Sequence, residues 1–191
     1  MERELVLTGI GGQGIQLAAQ VIARAALAEG RAVQIFGSYG GMMRGGNTEA
    51  TVVFADDVIE SPPTVGHAWS AILMHHDYSA PTLALLRPES VAFVNTSVFE
   101  GDASTTGATV VGVEATELAT SVGNPLAAAM VMAGAYTAAT GLVALESLVD
   151  AVGASLPPYR QQHVEVNVAA LRAGFDAAPR DIASAWELSA C

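Results

Sequence analysis

A glycine-rich turn close to the start constrains this chain more than any other feature. Gly9-Ile10-Gly11-Gly12-Gln13-Gly14 follows Glu4 to Thr8, a short run that reads as a strand, and precedes the segment Ile15 to Glu29. In that segment Leu17, Val21, Ile22 and Ala25 recur at helical spacing, and Gly30 stops them. Ala32 to Phe36 reads as another strand, so the opening is a strand–turn–helix–strand unit. Gly9, Gly11 and Gly14 satisfy G-x-G-x-x-G between strand and helix. Absent side chains let the backbone turn tightly and approach a phosphate, while the helix start presents unpaired N–H groups and a partial positive charge. Gly11, Gly12, Gln13 and Gly14 are therefore candidate anion-binding residues. The same turn would also serve merely to pack helix on strand, and the pattern leaves both readings open.

A nicotinamide site usually adds an acid at the end of the second strand to hold the ribose hydroxyls. Here that strand ends Ile35-Phe36-Gly37-Ser38 without one, which disfavours a stand-alone NAD(P)-dependent dehydrogenase. A long loop with five glycines follows, Gly37 to Asn47. Its glycines permit positive φ and close approach by another backbone. Tyr39 and Arg44 are its side chains suited to stacking and to anion pairing, and Gly45 and Gly46 sit beside them. Met42-Met43 is soft apolar surface of the kind interfaces use.

Beyond the loop, Thr48 to Phe54, Ala71 to Met74, Ser90 to Val94 and Thr109 to Val113 read as strands, with a short helix over Ser79 to Leu86. The β pattern then stops, and Leu126 to Thr140, Ala144 to Ala154 and Gln162 to Phe175 look helical. The expected fold is a three-layer α/β domain with a mostly parallel sheet, a Rossmann-like βαβ start and a helical C-terminal third. Residues 1–175 are expected to form one domain and 176–191 a tail. Leu126 to Leu145 is a twenty-residue stretch without charge. It is Ala-rich, interrupted by Gly134, Thr137, Thr140 and Gly141 and flanked by acids, so it predicts a buried or interface helix, not a membrane span. Asn124, before Pro125, predicts a helix cap. His75-His76-Asp77 ends a predicted strand, where neighbouring side chains point to opposite faces. The two imidazoles are accordingly read as structural or surface groups, with no metal ligand assigned.

Composition removes several function classes. Net charge is −11 and all eight basic residues are arginines, which argues against a nucleic-acid groove and excludes a P-loop or Schiff-base lysine. One cysteine, Cys191, cannot hold an iron–sulfur cluster. Hydrophobic residues reach 51% against 14% charged, a thin charged exterior that suggests partner-covered surface. The charged start Met1-Glu2-Arg3-Glu4 leads into no signal-peptide pattern, so a cytoplasmic location is expected.

Taken in order, Gly9 to Gly14, Ser38-Tyr39-Gly40, Arg44-Gly45-Gly46, Ile59-Glu60-Ser61-Pro62, Leu118-Ala119, Gly123-Asn124, Gly134, and Asn167, Ala170 and Gly174 cover nearly the whole chain. This series resembles the γ subunit, or γ domain, of pyruvate and ketoisovalerate:ferredoxin oxidoreductases. Gly41-Met42-Met43 departs from the Pro-Glu type of segment that the family often carries there. The resemblance implies oxidative decarboxylation of a 2-oxoacid to an acyl-CoA, with thiamine diphosphate and iron–sulfur clusters held by α- and β-type partner subunits. It implies no catalytic residue and no tightly bound cofactor in this chain alone. Coenzyme A is the implied ligand of the glycine turn and second loop, and Asn124 gains a ligand role from the resemblance alone. The isolated chain is expected to be inactive and to self-associate. The alternative to both enzyme readings is a non-catalytic nucleotide-binding assembly module.

Overall fold

The computed structural model describes residues 1–39, 45–60, 65–103 and 107–186, the side chains of Ser38 and Tyr39 excepted. The strands are β1 (Glu2–Ile10), β2 (Ala32–Tyr39), β3 (Asn47–Ala55), β4 (Ser70–Leu73), β5 (Val91–Asn95) and β6 (Thr109–Val113). They form a single sheet in the order β2-β3-β1-β4-β5-β6. From β1 through β4 and β5 to β6 all pairings are parallel, whereas β3 runs antiparallel to both β1 and β2. The sheet is mixed and mostly parallel, as the alternating pattern predicts.

The opening βαβ unit is present but split. β2 returns in the direction of β1, yet β3 lies between them, with Val6 opposite Thr51 on one side and Ile35 opposite Val52 on the other. Burial explains why β3 takes the inner slot. Its residues 52–55 are all buried, whereas Gln34 to Gly37 of β2 are exposed and suit an edge.

Helix α1 (Ile15–Ala28) lies on this part of the sheet and buries Ile15, Ala18, Ala19, Val21, Ile22 and Ala25. The other helices are α2 (Ser79–Leu83), α3 (Ala115–Ser121), α4 (Ala128–Thr140), α5 (Leu145–Ser155) and α6 (Val164–Ala177). Leu5, Leu7, Val52, Phe54, Ile72 and Phe93 pack with α1 and the C-terminal helices in one large core. On the opposite face Val6, Ala71, Leu73, Ala92 and Val94 pack with Leu83, Leu86 and Phe99 in a smaller one. The helical layers are therefore unequal in thickness.

Every residue of α4 is buried. The twenty-residue uncharged run is not one helix, however. A 3₁₀ turn, Pro125–Ala127, precedes α4, and Gly141 at φ 60° ends it. No helix of the described residues is long and apolar enough to cross a membrane. Tyr136 places its ring edge-on to Phe93, 5.3 Å between centroids, and its hydroxyl 3.1 Å from Ser70 Oγ. Burial pushes the Tyr136 hydroxyl above the ordinary tyrosine range. Burial likewise lowers Arg3, against the opposing pull of Glu4.

Helix α4 crosses α6 backbone to backbone. A Cβ added at Gly134 would lie 2.0 Å from Leu171 O, and one at Gly174 would lie 1.9 Å from Val131 O. Beyond α6 the chain is irregular but docked. Ile182 and Ala185 donate their N–H groups to Ala139 O and Thr140 O at 2.9 Å each. Trp186 Nε1 donates to Leu142 O at 2.8 Å, and the Arg31 guanidinium sits 3.8 Å above the Trp186 ring.

Candidate functional site

β1, β4 and β5 all end at the same edge of the sheet, and the connections from β1 and β4 lead to opposite sides of it. Such an edge is where open α/β sheets take ligands. The glycine turn lies there. Gly12 and Gly14 have φ of 106° and 83°, conformations that side chains rarely adopt. Gly14 is the N-cap of α1 and offers no side chain to it, so the first-turn N–H groups are left for another acceptor. An added Cβ at Gly12 would meet nothing within 4 Å, which makes this the open side of the turn. At Gly14 it would meet Ala129 Cβ at 3.5 Å and Leu126 O at 3.9 Å, so this glycine seats the turn against the start of α4.

The two glycine segments singled out from the sequence come together. Gly11 N donates to Gly46 O at 2.8 Å, and Gly45, at φ 88°, faces open space. Gly11, Gly12, Gly14 and Gly46 line one cavity of about 530 Å³. Its far wall is the 3₁₀ segment Pro158–His163, which contributes Tyr159 and Arg160. Arg160 is the charged side chain lining the cavity among the described residues, 5.7 Å from the Tyr159 ring centroid. Asn47 and Ser155 also line it, with Asn47 Oδ1 and Ser155 Oγ closed to solvent and without a hydrogen-bond partner among the described residues.

Other candidates stand elsewhere. Gln13 is a strut: its Oε1 accepts from Ile10 N at 2.8 Å, and its Nε2 donates to Met74 O at 3.3 Å. That explains Gly9, where a Cβ would lie 2.5 Å from Gln13 Oε1 and 2.9 Å from Met74 Cβ. Asn124 Oδ1 accepts from Leu126 N at 3.1 Å and so caps the turn before α4, and Asn124 is not among the lining residues of the cavity. Tyr39 ends β2 opposite Thr48, but its side chain is not described. Arg44, with Met42 and Met43, lies outside the described residues. Arg160 was missed because no spacing links it to the turn. The one local signal was the Pro157-Pro158 pair, which stops α5 and starts the 3₁₀ segment.

The His75-His76-Asp77 segment lies past the strand, since β4 ends at Leu73. Alternation no longer applies, and the two imidazoles lie side by side with centroids 4.3 Å apart.

The geometry defines a mixed-sheet α/β domain with two latched glycine segments and a C-terminal third whose regular elements, among the described residues, are helices. The family model described as pyruvate ferredoxin/flavodoxin oxidoreductase matches residues 4–177, and the chain belongs to that family. It is 32% identical to the 2-oxoglutarate synthase subunit KorC of Methanothermobacter marburgensis, over 91% of this chain and 95% of that one. It is 27% identical to the pyruvate synthase subunit PorC of the same organism, over 81% and 86% of the two chains. Among solved structures, a keto/oxoacid ferredoxin oxidoreductase gamma subunit from Geobacter sulfurreducens superposes with a TM-score of 0.77 at 25% identity, over 92% and 95% of the chains. The 2-oxoglutarate:ferredoxin oxidoreductase of Magnetococcus marinus, bound to 2-oxoglutarate, coenzyme A and succinyl-CoA, shares the fold at a TM-score of 0.82 and 16% identity. There the match spans 96% of this chain and 33% of that longer one. Within the family this chain is a gamma-type subunit of a 2-oxoacid:ferredoxin oxidoreductase, and the stand-alone dehydrogenase reading gains no support.

Proposed function

We propose that this subunit supplies the phosphate end of a coenzyme A site to an enzyme that converts a 2-oxoacid oxidatively to its acyl-CoA. The cavity between the glycine turn and Arg160 is the observation that carries this reading. Coenzyme A joins a diphosphate to an adenine, and the wall offers one example of each matching chemistry. Arg160 is a cation for a phosphate, and Tyr159 is a largely exposed aromatic face for a base. The open backbone at Gly12 and Gly45 admits close approach, and the first-turn N–H groups of α1 face a negative charge favourably. In a chain of net charge −11, a free anion would not be drawn by the overall field, so local groups must hold it. Tyr39, Arg44 and Asn124 are further proposed contacts, carried by the resemblance.

Thiamine diphosphate and iron–sulfur clusters belong, on this reading, to α- and β-type partners in the cytoplasm. One cysteine in the whole sequence cannot ligate a cluster. The chain's own residues then bind and orient the thiol carrier and exclude water around its phosphates, while the redox chemistry takes place on the partners. The isolated chain should accordingly show no 2-oxoacid oxidation and should self-associate through surface that the partners cover.

Steady-state kinetics of the assembled enzyme test the site. Gly12→Val and Arg160→Ala should each raise the KM for coenzyme A with little change in that for the 2-oxoacid. Losing a charged hydrogen bond at Arg160 corresponds to roughly tenfold or more. An unchanged KM for coenzyme A in assembled, folded variants would show the turn to be purely structural.

A further inference from the structure

We propose that His75, His76 and Asp77 form a second, separate site that binds one divalent transition ion of the Zn²⁺, Co²⁺ or Ni²⁺ class. The three residues form the turn after β4, at the sheet edge described above, and play no part in the glycine cavity. One ligand atom from each lies within 4.8 Å of those of the other two. The Asp77 carboxylate reaches both rings, with Oδ2 at 3.7 Å from His75 Nδ1 and Oδ1 at 3.6 Å from His76 Nε2. Those separations are too long for hydrogen bonds. They are close to the spacing of two ligands on one ion: metal–nitrogen and metal–oxygen bonds of about 2.1 Å at tetrahedral angles put ligand atoms about 3.4 Å apart. The groups converge without bonding one another, and the widest pair has at most about 1.4 Å to close.

The surroundings hold this arrangement. His76 Nδ1 lies 3.3 Å from Val98 O, and the ring stands edge-on to Phe99 at 6.3 Å. Glu100 N also reaches His76 Nδ1, at 3.2 Å, so two backbone groups hold the ring with Nε2 turned toward Asp77, the kind of outer contact that orients metal-binding imidazoles. An ion at Nε2 would select the tautomer that donates Nδ1–H to Val98 O over the one that accepts from Glu100 N. Asp77 N donates to His75 Nδ1 at 3.1 Å and folds the tripeptide back on itself, a contact that an ion at that nitrogen would replace. Tyr78 follows at φ 65°, a left-handed conformation costly for a non-glycine residue, and sends the chain into α2. Two imidazoles and one carboxylate suit borderline ions better than Mg²⁺ or Ca²⁺, which prefer all-oxygen shells. The His75 and His76 side chains are partly buried and that of Asp77 is 61% exposed, so the remaining coordination positions face solvent.

The test uses the untagged full-length chain, stripped with a chelator and titrated with Zn²⁺ by calorimetry and with Co²⁺ by visible absorption. One ion per chain is expected, with affinity reduced at least roughly tenfold in His76→Gln and in Asp77→Asn, and unchanged in His67→Gln and His163→Gln. Asp77 is exposed enough that its variant should melt like the parent, which keeps the test valid if His76→Gln misfolds. No saturable binding by the metal-free chain would overturn the proposal. So would an Asp77→Asn variant that binds as tightly as the parent.

Discussion

Gly134→Ala should destabilise this chain even though helix propensity favours alanine. Position 134 is interior to α4, where replacing glycine by alanine ordinarily gains about 1 kcal/mol. Here the new methyl carbon would lie 2.0 Å from Leu171 O, 2.9 Å from Leu171 C and 3.0 Å from Phe175 N, all backbone atoms of α6. Backbone cannot rotate away as a side-chain tip can, so the helices must separate by about 1.4 Å to restore ordinary contact. Val131, Ala135, Ala170 and Leu171 are fully buried at this crossing and would lose close packing together. Overpacking of that kind costs about 3 kcal/mol, which leaves a net loss of about 2 kcal/mol. For a domain of this size the melting temperature should fall by about 4–8 °C. Gly153→Ala is the internal control: that glycine lies inside α5 with nothing within 4 Å of an added Cβ. It should gain about 0.5–1 kcal/mol and melt higher. Thermal and urea unfolding of both variants measures the two signs. A Gly134→Ala protein as stable as the parent would refute the backbone-contact argument.

Two further outcomes follow from the described contacts. Because Tyr136 is held neutral by burial in the folded state, its contribution is fully present below about pH 10, the ordinary tyrosine pKa. Above that the unfolded chain releases a proton that the folded chain keeps, so stability falls as pH rises. Tyr136→Phe should flatten the alkaline limb of a stability–pH curve, and an unaltered limb would count against the assignment. Asn124→Ala should cost about 1 kcal/mol in urea unfolding through the lost cap on Leu126 N. If Asn124 also touches coenzyme A, the KM for coenzyme A rises in the same variant, which separates the ligand role from the cap.

Strand and helix positions were largely legible because most elements carry one buried face. β6 matches its expected span, Thr109–Val113, and α1 and α4 match theirs within two residues at each end. Neighbour order was not legible. Nothing local in Thr48 to Phe54 says that β3 inserts beside β1, since that choice depends on which strand best fills a two-sided slot. Helix α3 escaped notice because seven residues with Ala115 and Ala119 as their buried pair give almost no periodic signal. Of the site, the glycines were readable because positive φ leaves its mark in residue type. Arg160 was not, because the cavity joins segments more than a hundred residues apart in the chain. For the histidine pair one premise does not hold: strand alternation ends with β4 at Leu73, before His75, and so does not separate the two rings.

Helix α4 is buried along its whole length, and part of what covers it arrives very late in the sequence. α6 begins at Val164, and the contacts from Ile182, Ala183 and Ala185 to the end of α4 come later still. During synthesis on the ribosome the sheet strands and α1 emerge first, then an uncharged helix whose cover is still being made. For that interval the nascent chain shows water an apolar rod, the state in which chains of this kind are most prone to aggregate or to need a chaperone. A stop codon or frameshift that removed residues from 164 onward would extend that interval indefinitely. Such a truncated product should be cleared as misfolded protein although every strand of its sheet is intact.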